Sequence, residues 1–464
     1  MKTVLSILLL ISIAIRVKSL NSLGAPPKAP PDEWWGPREL QQYPDTSIRP
    51  FRVEFTDEVI SDLRYRLLNH RQVAPPLENV GFTYGFNVLV LDYWTQYWAN
   101  GYDFKARERF LNQFPQYKTN IQGLDIHFLW VVLQTVYHHQ NILVPLLYLH
   151  GWPGTVRELY ESIPYLVTPD ASRSFAIEVI APSLPGFGFS DTAVRTGLGA
   201  TQMAVIFKNL MHRLGYYRYY IQGGDWGSTI GSSMATLFPQ EVLGYHTNLA
   251  VAATLKAFTI WGTGAVSPSK VVSPELQDRL YPLTSIIVGL IRETGFFHLQ
   301  ATKPESIGVA MSDSPAGLLA YILQLISTGT NKESVNSIDG ELEKFYSRDA
   351  LLDILTIFWV TNSFTTSIRI YGESFNLMTL NSTVGRTPTP VPTWSIHAKD
   401  EIVYMTPTML KTKYPNLLHS TVLPDGGHFL ALEKPQILAN DVIQAIASFR
   451  KCQHGRGESQ VGGV

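Results

Sequence analysis

Residues 219–228 read Tyr-Tyr-Ile-Gln-Gly-Gly-Asp-Trp-Gly-Ser, a short apolar run that enters a glycine-rich turn, and small residues continue to Leu237. This order predicts a strand, a tight turn and a helix. In such a turn the residues two before and two after the centre must be small, and here they are Gly223 and Gly227. The centre is Asp225, a carboxylate that can attack carbon without an activating base, forming an ester that water must then split. A competing interpretation makes Asp225 an ordinary helix N-cap.

The segments around this turn alternate between strand-like and helix-like patterns. Strands are predicted at 124–130, 143–150, 179–182, 219–222, 388–396 and 418–423, and helices at 157–166, 203–214 and 435–450. Such alternation predicts an α/β fold whose mostly parallel sheet carries helices on both faces. Residues of about 250 to 380 break the rhythm, because they look helical and contain no clear strand, and this is where a lid would be inserted.

We therefore divide the chain into six segments. They are an N-terminal membrane anchor or signal (1–20), a proline-rich arm with an N-terminal helical segment (21–116), the first part of the α/β core (117–250), a helical lid (251–385), the second part of the core (386–452) and a disordered tail (453–464). The arm holds seven prolines between residues 26 and 50, which favour extended chain. Trp34 and Trp35 are expected to lay it down on the main domain or on a membrane. Thr56 is expected to cap the first helix after the arm.

Composition excludes several classes of protein. The chain has 464 residues, 45% of them hydrophobic, and a formal net charge of -1. This composition supports a large globular core and gives no basic field that would attract nucleic acid. Cys452 is the only cysteine, so neither an intrachain disulfide nor a cysteine-based metal site is expected, and we predict no metal.

The first residues form a short apolar segment, Val4 to Ile15, with Lys2 before it and Arg16 and Lys18 after it. Its length is short of the roughly 20 residues that span a bilayer and suits the core of a signal peptide. The excess of positive charge after the segment instead favours a retained anchor with the rest of the chain in the cytosol. Both interpretations remain open on the sequence.

Two further motifs complete a possible catalytic set. The loop His150-Gly151-Trp152-Pro153-Gly154 follows a predicted strand, and the amides of Trp152 and Trp226 are expected to form an oxyanion hole. His428 follows a strand near the C-terminus, in the chain order nucleophile, acid, histidine that α/β hydrolases use. His428 would activate the water that splits the Asp225 ester. Either Asp400 or Glu401 could orient its ring.

These motifs lead to a resemblance that covers nearly the whole chain. The sequence resembles the microsomal epoxide hydrolases, and among them the insect juvenile hormone epoxide hydrolases. The motifs that carry the likeness include 49–53, 111–115, 123–128, 150–154, 182–190, 223–228, 302–304, 313–318 and 426–429. The resemblance implies the α/β-hydrolase fold with Asp225 as the nucleophile, His428 as the proton acceptor and Glu401, rather than Asp400, as the charge-relay acid.

The family also uses two lid tyrosines that protonate the epoxide oxygen. One matches Tyr371, whereas the other position is occupied by Phe296, in Gly-Phe-Phe-His at 295–298. We therefore expect a working but impaired or substrate-shifted enzyme in which Tyr371 is the sole donor and Phe296 lines the pocket. Tyr281 is another candidate donor.

The resulting expectation is hydrolysis of a small apolar epoxide, such as juvenile hormone or a related lipid epoxide, to a diol without a cofactor. The resemblance also implies binding to the endoplasmic reticulum or microsomal membrane through the N-terminal segment, with a cytosolic catalytic domain. Two alternatives are a haloalkane dehalogenase-like hydrolase, which shares an aspartate nucleophile followed by tryptophan, and a hormone- or lipid-binding relative with weakened catalysis.

Overall fold

The computed structural model describes residues 26–132, 142–170, 173–376 and 382–461, and the predicted anchor or signal at 1–20 lies outside these residues. Its framework is a nine-stranded sheet in the order β1-β2-β3-β5-β4-β6-β7-β8-β9. The strands are β1 (Arg49–Phe51), β2 (Gln116–Ile121), β3 (Leu124–Val131), β4 (Ile142–Leu149), β5 (Phe175–Pro182), β6 (Tyr219–Gly223), β7 (Val242–Thr247), β8 (Thr393–His397) and β9 (Leu417–Val422).

The sheet combines an antiparallel edge with a parallel centre. The pairs β1–β2, β2–β3 and β3–β5 are antiparallel, and all pairs from β5–β4 to β8–β9 are parallel. The central strands are continuous apolar runs, and every residue of β5 is buried, because a parallel sheet is covered on both faces. The carboxyl ends of β4, β6 and β8 therefore open toward one edge, where ligands bind in such sheets.

Two layers of helices cover this sheet, as the alternation predicted. Ala200–Arg213 packs against Asp225–Leu237, and Ile163–Val167 packs against the last helix. The core helices are α4 (Ile163–Val167), α5 (Ala200–Arg213), α6 (Asp225–Leu237), α15 (Pro407–Leu410), α16 (Leu430–Glu433) and α17 (Pro435–Val461), numbered along the whole chain. The last of these continues past Gln453, where we expected a disordered tail to begin.

The N-terminal helical segment precedes the core and packs on the lid. Its helices are α1 (Asp57–Leu68), α2 (Leu91–Gln96) and α3 (Phe104–Leu111). The side chain of Thr56 accepts a hydrogen bond from the Val59 amide, which confirms the predicted cap. In the arm, Trp35 is 2% exposed and its amide donates to the Gln122 carbonyl at 2.7 Å, so the arm does lie on the main domain.

The lid lies between β7 and β8. Its helices are α7 (Leu255–Gly264), α8 (Leu283–Glu293), α9 (Gly295–Thr302), α10 (Pro304–Asp313), α11 (Pro315–Thr330), α12 (Leu342–Phe345), α13 (Arg348–Val360) and α14 (Phe364–Ser374). A buried carboxylate, Asp353 of α13, joins the three parts of the molecule. It accepts hydrogen bonds from Tyr102, from Arg107 of the N-terminal segment and from Arg157 of the core, the last at 2.6 Å.

Several predicted boundaries change in the structure. The single helix expected at 157–166 is wrong: Val156–Leu159 is a 3-10 turn and α4 begins only at Ile163. Pro164 explains the break, since proline has no amide hydrogen to continue a helix and is tolerated only in a first turn. Strands β1, β2 and β7 were not predicted from the sequence, and β8 begins at Thr393 and not at 388. Within the described part of the chain, no single helix is long and apolar enough to cross a bilayer, and two sharply bent helix pairs pass by length and composition alone.

Candidate active site

The glycine-rich turn holds Asp225 in a rare backbone conformation. Its φ is +48° at the junction of β6 and α6, in the left-handed region that ordinary residues avoid. A side-chain carbon at Gly223 would lie 2.3 Å from the Gly227 carbonyl oxygen, and one at Gly227 would lie 2.4 Å from the Leu149 oxygen. The two glycines are therefore required for the turn to form, and the turn presents the carboxylate at the edge of the sheet. This geometry matches the nucleophile elbow that the sequence predicted.

The loop after β4 closes on this carboxylate. The Trp152 amide donates to Oδ1 of Asp225 at 2.7 Å. Buried His150 fixes the loop, because its Nδ1 lies 3.0 Å from the Gly151 oxygen while its Nε2 accepts from the Leu184 amide at 3.1 Å. Burial lowers the pKa of His150 to about 4, so the ring is neutral and can make both bonds. One of the two predicted oxyanion donors thus contacts the Asp225 carboxylate.

The second predicted donor, the Trp226 amide, follows Asp225 in the first turn of α6. Amides in the first turn of a helix have no acceptor within the helix and are free to bind an anion. The role of Trp226 in an oxyanion hole stays a prediction.

His428 and an acid complete a line of three side chains. Nε2 of His428 lies 3.4 Å from Oδ2 of Asp225, and its Nδ1 lies 2.6 Å from Oε1 of Glu401. Glu401 is 2% exposed, whereas Asp400 contributes a backbone amide to the Gly426 carbonyl. The structure therefore pairs His428 with Glu401. Burial opposes the charged imidazolium, but Glu401 and Asp225 outweigh it and hold the pKa of His428 well above its ordinary value.

Tyr371 of the lid faces this line from the opposite side. Its ring makes edge contacts with the indoles of Trp152 and Trp226, at centroid distances of 5.7 and 4.8 Å. The side chain is 3% exposed. Burial, and then the charge of Asp225, raise the pKa of its hydroxyl well above the ordinary value. Tyr371 therefore stays protonated near Asp225, and the protonated hydroxyl is the form that can donate.

Phe296 lies beside Tyr371, at the position where the resemblance implied a second tyrosine. Its ring stacks on Trp152 at 5.8 Å and meets Tyr371 edge-on at 6.3 Å. Phe296 is not among the residues that line the small cavity at Asp225, so its role in lining a substrate pocket stays a prediction, and it has no hydroxyl to donate. Tyr281 does not supply one here, because its hydroxyl donates to the Trp261 carbonyl at 2.8 Å.

Three residues near the site had no clear signal in the sequence. Tyr321 of α11 meets Trp152 edge-on at 6.3 Å, and its hydroxyl accepts from the buried Gln300 amide at 3.2 Å. Glu158 and Asn248 line a cavity of about 10 Å³ together with Asp225 and His428. Glu158 lies in the turn after the His150 loop, and Asn248 directly follows β7. The sequence signal that could have indicated these two residues was their position next to those elements. Among the described residues, no cluster of three or more His, Cys, Asp or Glu is arranged to hold a metal.

Comparison with known proteins shows the family to which the chain belongs. Residues 48–159 match the model for the epoxide hydrolase N terminus, and residues 144–435 match that for the alpha/beta hydrolase fold. The chain is 49% identical to juvenile hormone epoxide hydrolase from Bombyx mori, covering 98% of each chain. It is 40% identical to epoxide hydrolase 1 from Sus scrofa, covering 89% of this chain and 91% of that protein.

Solved structures show the same relationship. The crystal structure of juvenile hormone epoxide hydrolase from the silkworm Bombyx mori superposes with a TM-score of 0.89 at 51% identity, covering 91% of this chain and 99% of that one. An epoxide hydrolase structure from Aspergillus niger, at 24% identity and a TM-score of 0.72, shares the fold. The chain belongs to the epoxide hydrolase family of α/β-hydrolase-fold enzymes.

Proposed function

We propose that this enzyme converts an apolar epoxide to a diol through a covalent ester on Asp225. The observation that carries the proposal is the arrangement of Asp225 between a buried His428–Glu401 pair on one side and the protonated hydroxyl of Tyr371 on the other. The first group can activate water, the carboxylate can attack carbon, and the hydroxyl can protonate the oxygen that leaves.

In the first step, Oδ2 of Asp225 attacks an epoxide carbon while the Trp152 amide holds Oδ1. A carbon–oxygen bond to the enzyme forms, the ring carbon–oxygen bond breaks, and its electron pair goes to the epoxide oxygen. Tyr371 gives that oxygen its proton. The indoles of Trp152 and Trp226 surround the tyrosine and exclude water from it.

In the second step, water splits the ester. Nε2 of His428 takes a proton from the water, whose oxygen bonds to the carboxyl carbon of Asp225. The Trp152 amide, and on our proposal the Trp226 amide, stabilise the negative oxygen of the tetrahedral intermediate. The ester bond then breaks and the diol oxygen receives the proton from His428. The second hydrogen of the water leaves the new carboxyl group and returns to Tyr371, so that the Asp225 carboxylate and the Tyr371 hydroxyl are both restored. Glu401 keeps Nδ1 protonated and stabilises the transient positive ring.

The substrate we propose is a lipid-like epoxide, with juvenile hormone as the first candidate. The residues around the reacting groups are aromatic, since Phe297 contacts both Tyr371 and Phe375 at 5.4 and 4.6 Å in addition to the Trp152–Phe296 stack. Two relatives at 49% and 44% identity are named juvenile hormone epoxide hydrolases. We further propose that residues 1–20 bind the chain to the endoplasmic reticulum membrane with the catalytic domain in the cytosol.

Trapping the ester tests the mechanism. In a His428→Gln variant the ester should form and persist, and mass spectrometry should show one substrate mass added to the peptide that contains Asp225. The absence of that adduct with both juvenile hormone and a simple aromatic epoxide would contradict the proposal and favour a binding protein. Halide release from a chlorinated alkane, without epoxide turnover, would instead favour dehalogenation.

A further inference from the structure

The small cavity at the catalytic line has one acidic wall that the mechanism above does not use. Its lining includes Glu158 and Asn248 as well as Asp225 and His428. Glu158 is half-buried, and within the described part of the chain no hydrogen bond or ion pair engages its carboxyl group. An acid that faces the reacting groups without a protein partner is free to bind a small polar molecule there.

The cavity has the size and polarity that one water molecule requires. Its volume is about 10 Å³, close to the lower limit for a site that holds one water, and a buried water needs two to four polar partners. Four polar side chains line the cavity. Asn248 is itself oriented, because its Oδ1 accepts from the Gln222 amide at 2.8 Å and its own amide is left for another partner.

The chain fixes Glu158 in place. Its neighbour Arg157 is 1% exposed and binds Asp353 and Glu161 on the other side of the turn. A side-chain carbon on Gly154 would lie 1.8 Å from Oε2 of Glu158, so the glycine leaves room for the carboxyl group. The turn therefore directs Glu158 toward the cavity while its neighbour anchors the backbone.

The electrostatic environment of Glu158 favours the neutral form of its carboxyl group, which suits contact with a neutral molecule such as water. Burial is the main cause that raises the pKa of Glu158 to about 8, with His428 opposing the rise and Asp225 adding to it. At neutral pH the group is mostly protonated, so no second negative charge faces Asp225 during attack on the epoxide. Conversion of Asp225 to an ester removes one cause of the raised pKa.

We propose that Glu158 is a catalytic residue that holds the hydrolytic water between His428 and the Asp225 ester. The proposal rests on the ester mechanism above. The Glu158 carbonyl oxygen accepts one hydrogen of the water, and the other hydrogen goes to Nε2 of His428 as the water oxygen bonds to the carboxyl carbon of Asp225. No proton is transferred to Glu158, and the hydrogen that it accepts stays on the water oxygen as that oxygen bonds to the carboxyl carbon.

Single-turnover kinetics separates this role from a structural one. The indoles of Trp152 and Trp226 next to the nucleophile provide a fluorescence signal for ester formation and decay. In Glu158→Leu, which has no acceptor, ester formation should stay within about threefold of the parent enzyme, while ester hydrolysis should slow by about 10- to 100-fold, the scale of a misplaced reactant. The ester should accumulate in the steady state and appear as a mass adduct on the Asp225 peptide.

Glu241→Gln is the matched control, since this acid is also half-buried, binds His212 and lies outside the cavity; both of its rates should match the parent. Glu158→Gln keeps the carbonyl acceptor and should hydrolyse the ester close to the parent rate. Glu158→Asp, which withdraws the carboxyl by one methylene, provides a second loss variant if Glu158→Leu folds poorly, and it too should slow hydrolysis selectively. Unchanged hydrolysis in folded Glu158→Leu and Glu158→Asp, or slower formation with unchanged hydrolysis, would overturn the proposal. Failure of His428→Gln to form any ester would instead refute the ester mechanism itself.

Discussion

The two halves of the active site are held by different forces. On the core side, hydrogen bonds and ion pairs of 2.6 to 3.4 Å connect the Trp152 amide, Asp225, His428 and Glu401 at the ends of strands. On the lid side, Tyr371 and Phe296 are held by aromatic contacts whose centroids are 4.8 to 6.3 Å apart. Hydrogen bonds demand particular atoms at particular distances, whereas aromatic packing accepts another ring of similar size.

The core half and the lid half of the site also differ in how deeply the helices around them are buried. Most residues of α6, which begins at Asp225, are buried. Helix α8 of the lid has no fully buried residue, and Val288 and Ile291 are 55% and 58% exposed. A region that buries little can change its sequence at little cost in stability. Phe296 lies in α9, directly after α8, and is itself half-buried, so an exchange between tyrosine and phenylalanine at this position costs little stability.

The largest effect is expected when the core half of the site loses the carboxylate of Asp225. Asp225→Ala should reduce epoxide turnover by about 10⁴-fold, the scale seen when one member of a catalytic unit is deleted. Steady-state diol formation measures this loss, and no mass adduct should form on the peptide. Residual turnover within tenfold of the parent enzyme would show that the core half does not contain the nucleophile.

Removing the relay acid should have the next largest effect. Glu401→Gln should slow ester hydrolysis by about 10²- to 10³-fold, because the ring of His428 loses the group that orients it. Glu401 is a cause of the raised pKa of His428, so the variant lowers that pKa. Only the neutral ring of His428 can accept a proton from water. The rise of activity with pH should therefore occur at a lower pH in the variant than in the parent enzyme. Asp400→Asn is the control and should leave the pH profile in place.

Loss of the lid hydroxyl should cost less. Tyr371→Phe should slow ester formation by about 10- to 100-fold, since it removes one donor aimed at a developing charge. Ester hydrolysis, which depends on the core half, should be nearly unchanged. Single-turnover fluorescence measures both rates, and an equal loss in both would mean that Tyr371 supports the fold and not the first step.

The smallest expected effect is a gain. Phe296→Tyr should speed ester formation by about tenfold, because it places a second hydroxyl beside Tyr371. Tyr281→Phe should have no effect on either rate, since that hydroxyl binds the Trp261 carbonyl. A Phe296→Tyr variant without any gain would indicate that another lid group already protonates the epoxide oxygen, and Tyr321→Phe would then identify it by a loss.

Much of the core could be predicted because its constraints are local. The elbow needs glycines at fixed offsets from Asp225, and their close contacts with Gly227 and Leu149 show why no other residue fits. The alternation of apolar runs and helices predicted the parallel centre of the sheet, because this pattern too can be read from short stretches of sequence. Strand β1, three residues long, and the break at Pro164 were missed because short elements have weak periodicity.

The sequence by itself predicted the glycine-rich elbow at Asp225, the loop of His428, their order along the chain and the α/β class, since each depends on neighbouring residues or on repeating apolar positions. Only the tertiary structure put Glu401 in contact with His428, placed Phe296 against Trp152, directed the Tyr281 hydroxyl away and brought Glu158 to the cavity of Asp225. These outcomes depend on the direction of a side chain and on contacts between segments distant in sequence. No local pattern encodes such contacts, because they form only when the sheet and the lid close on one another.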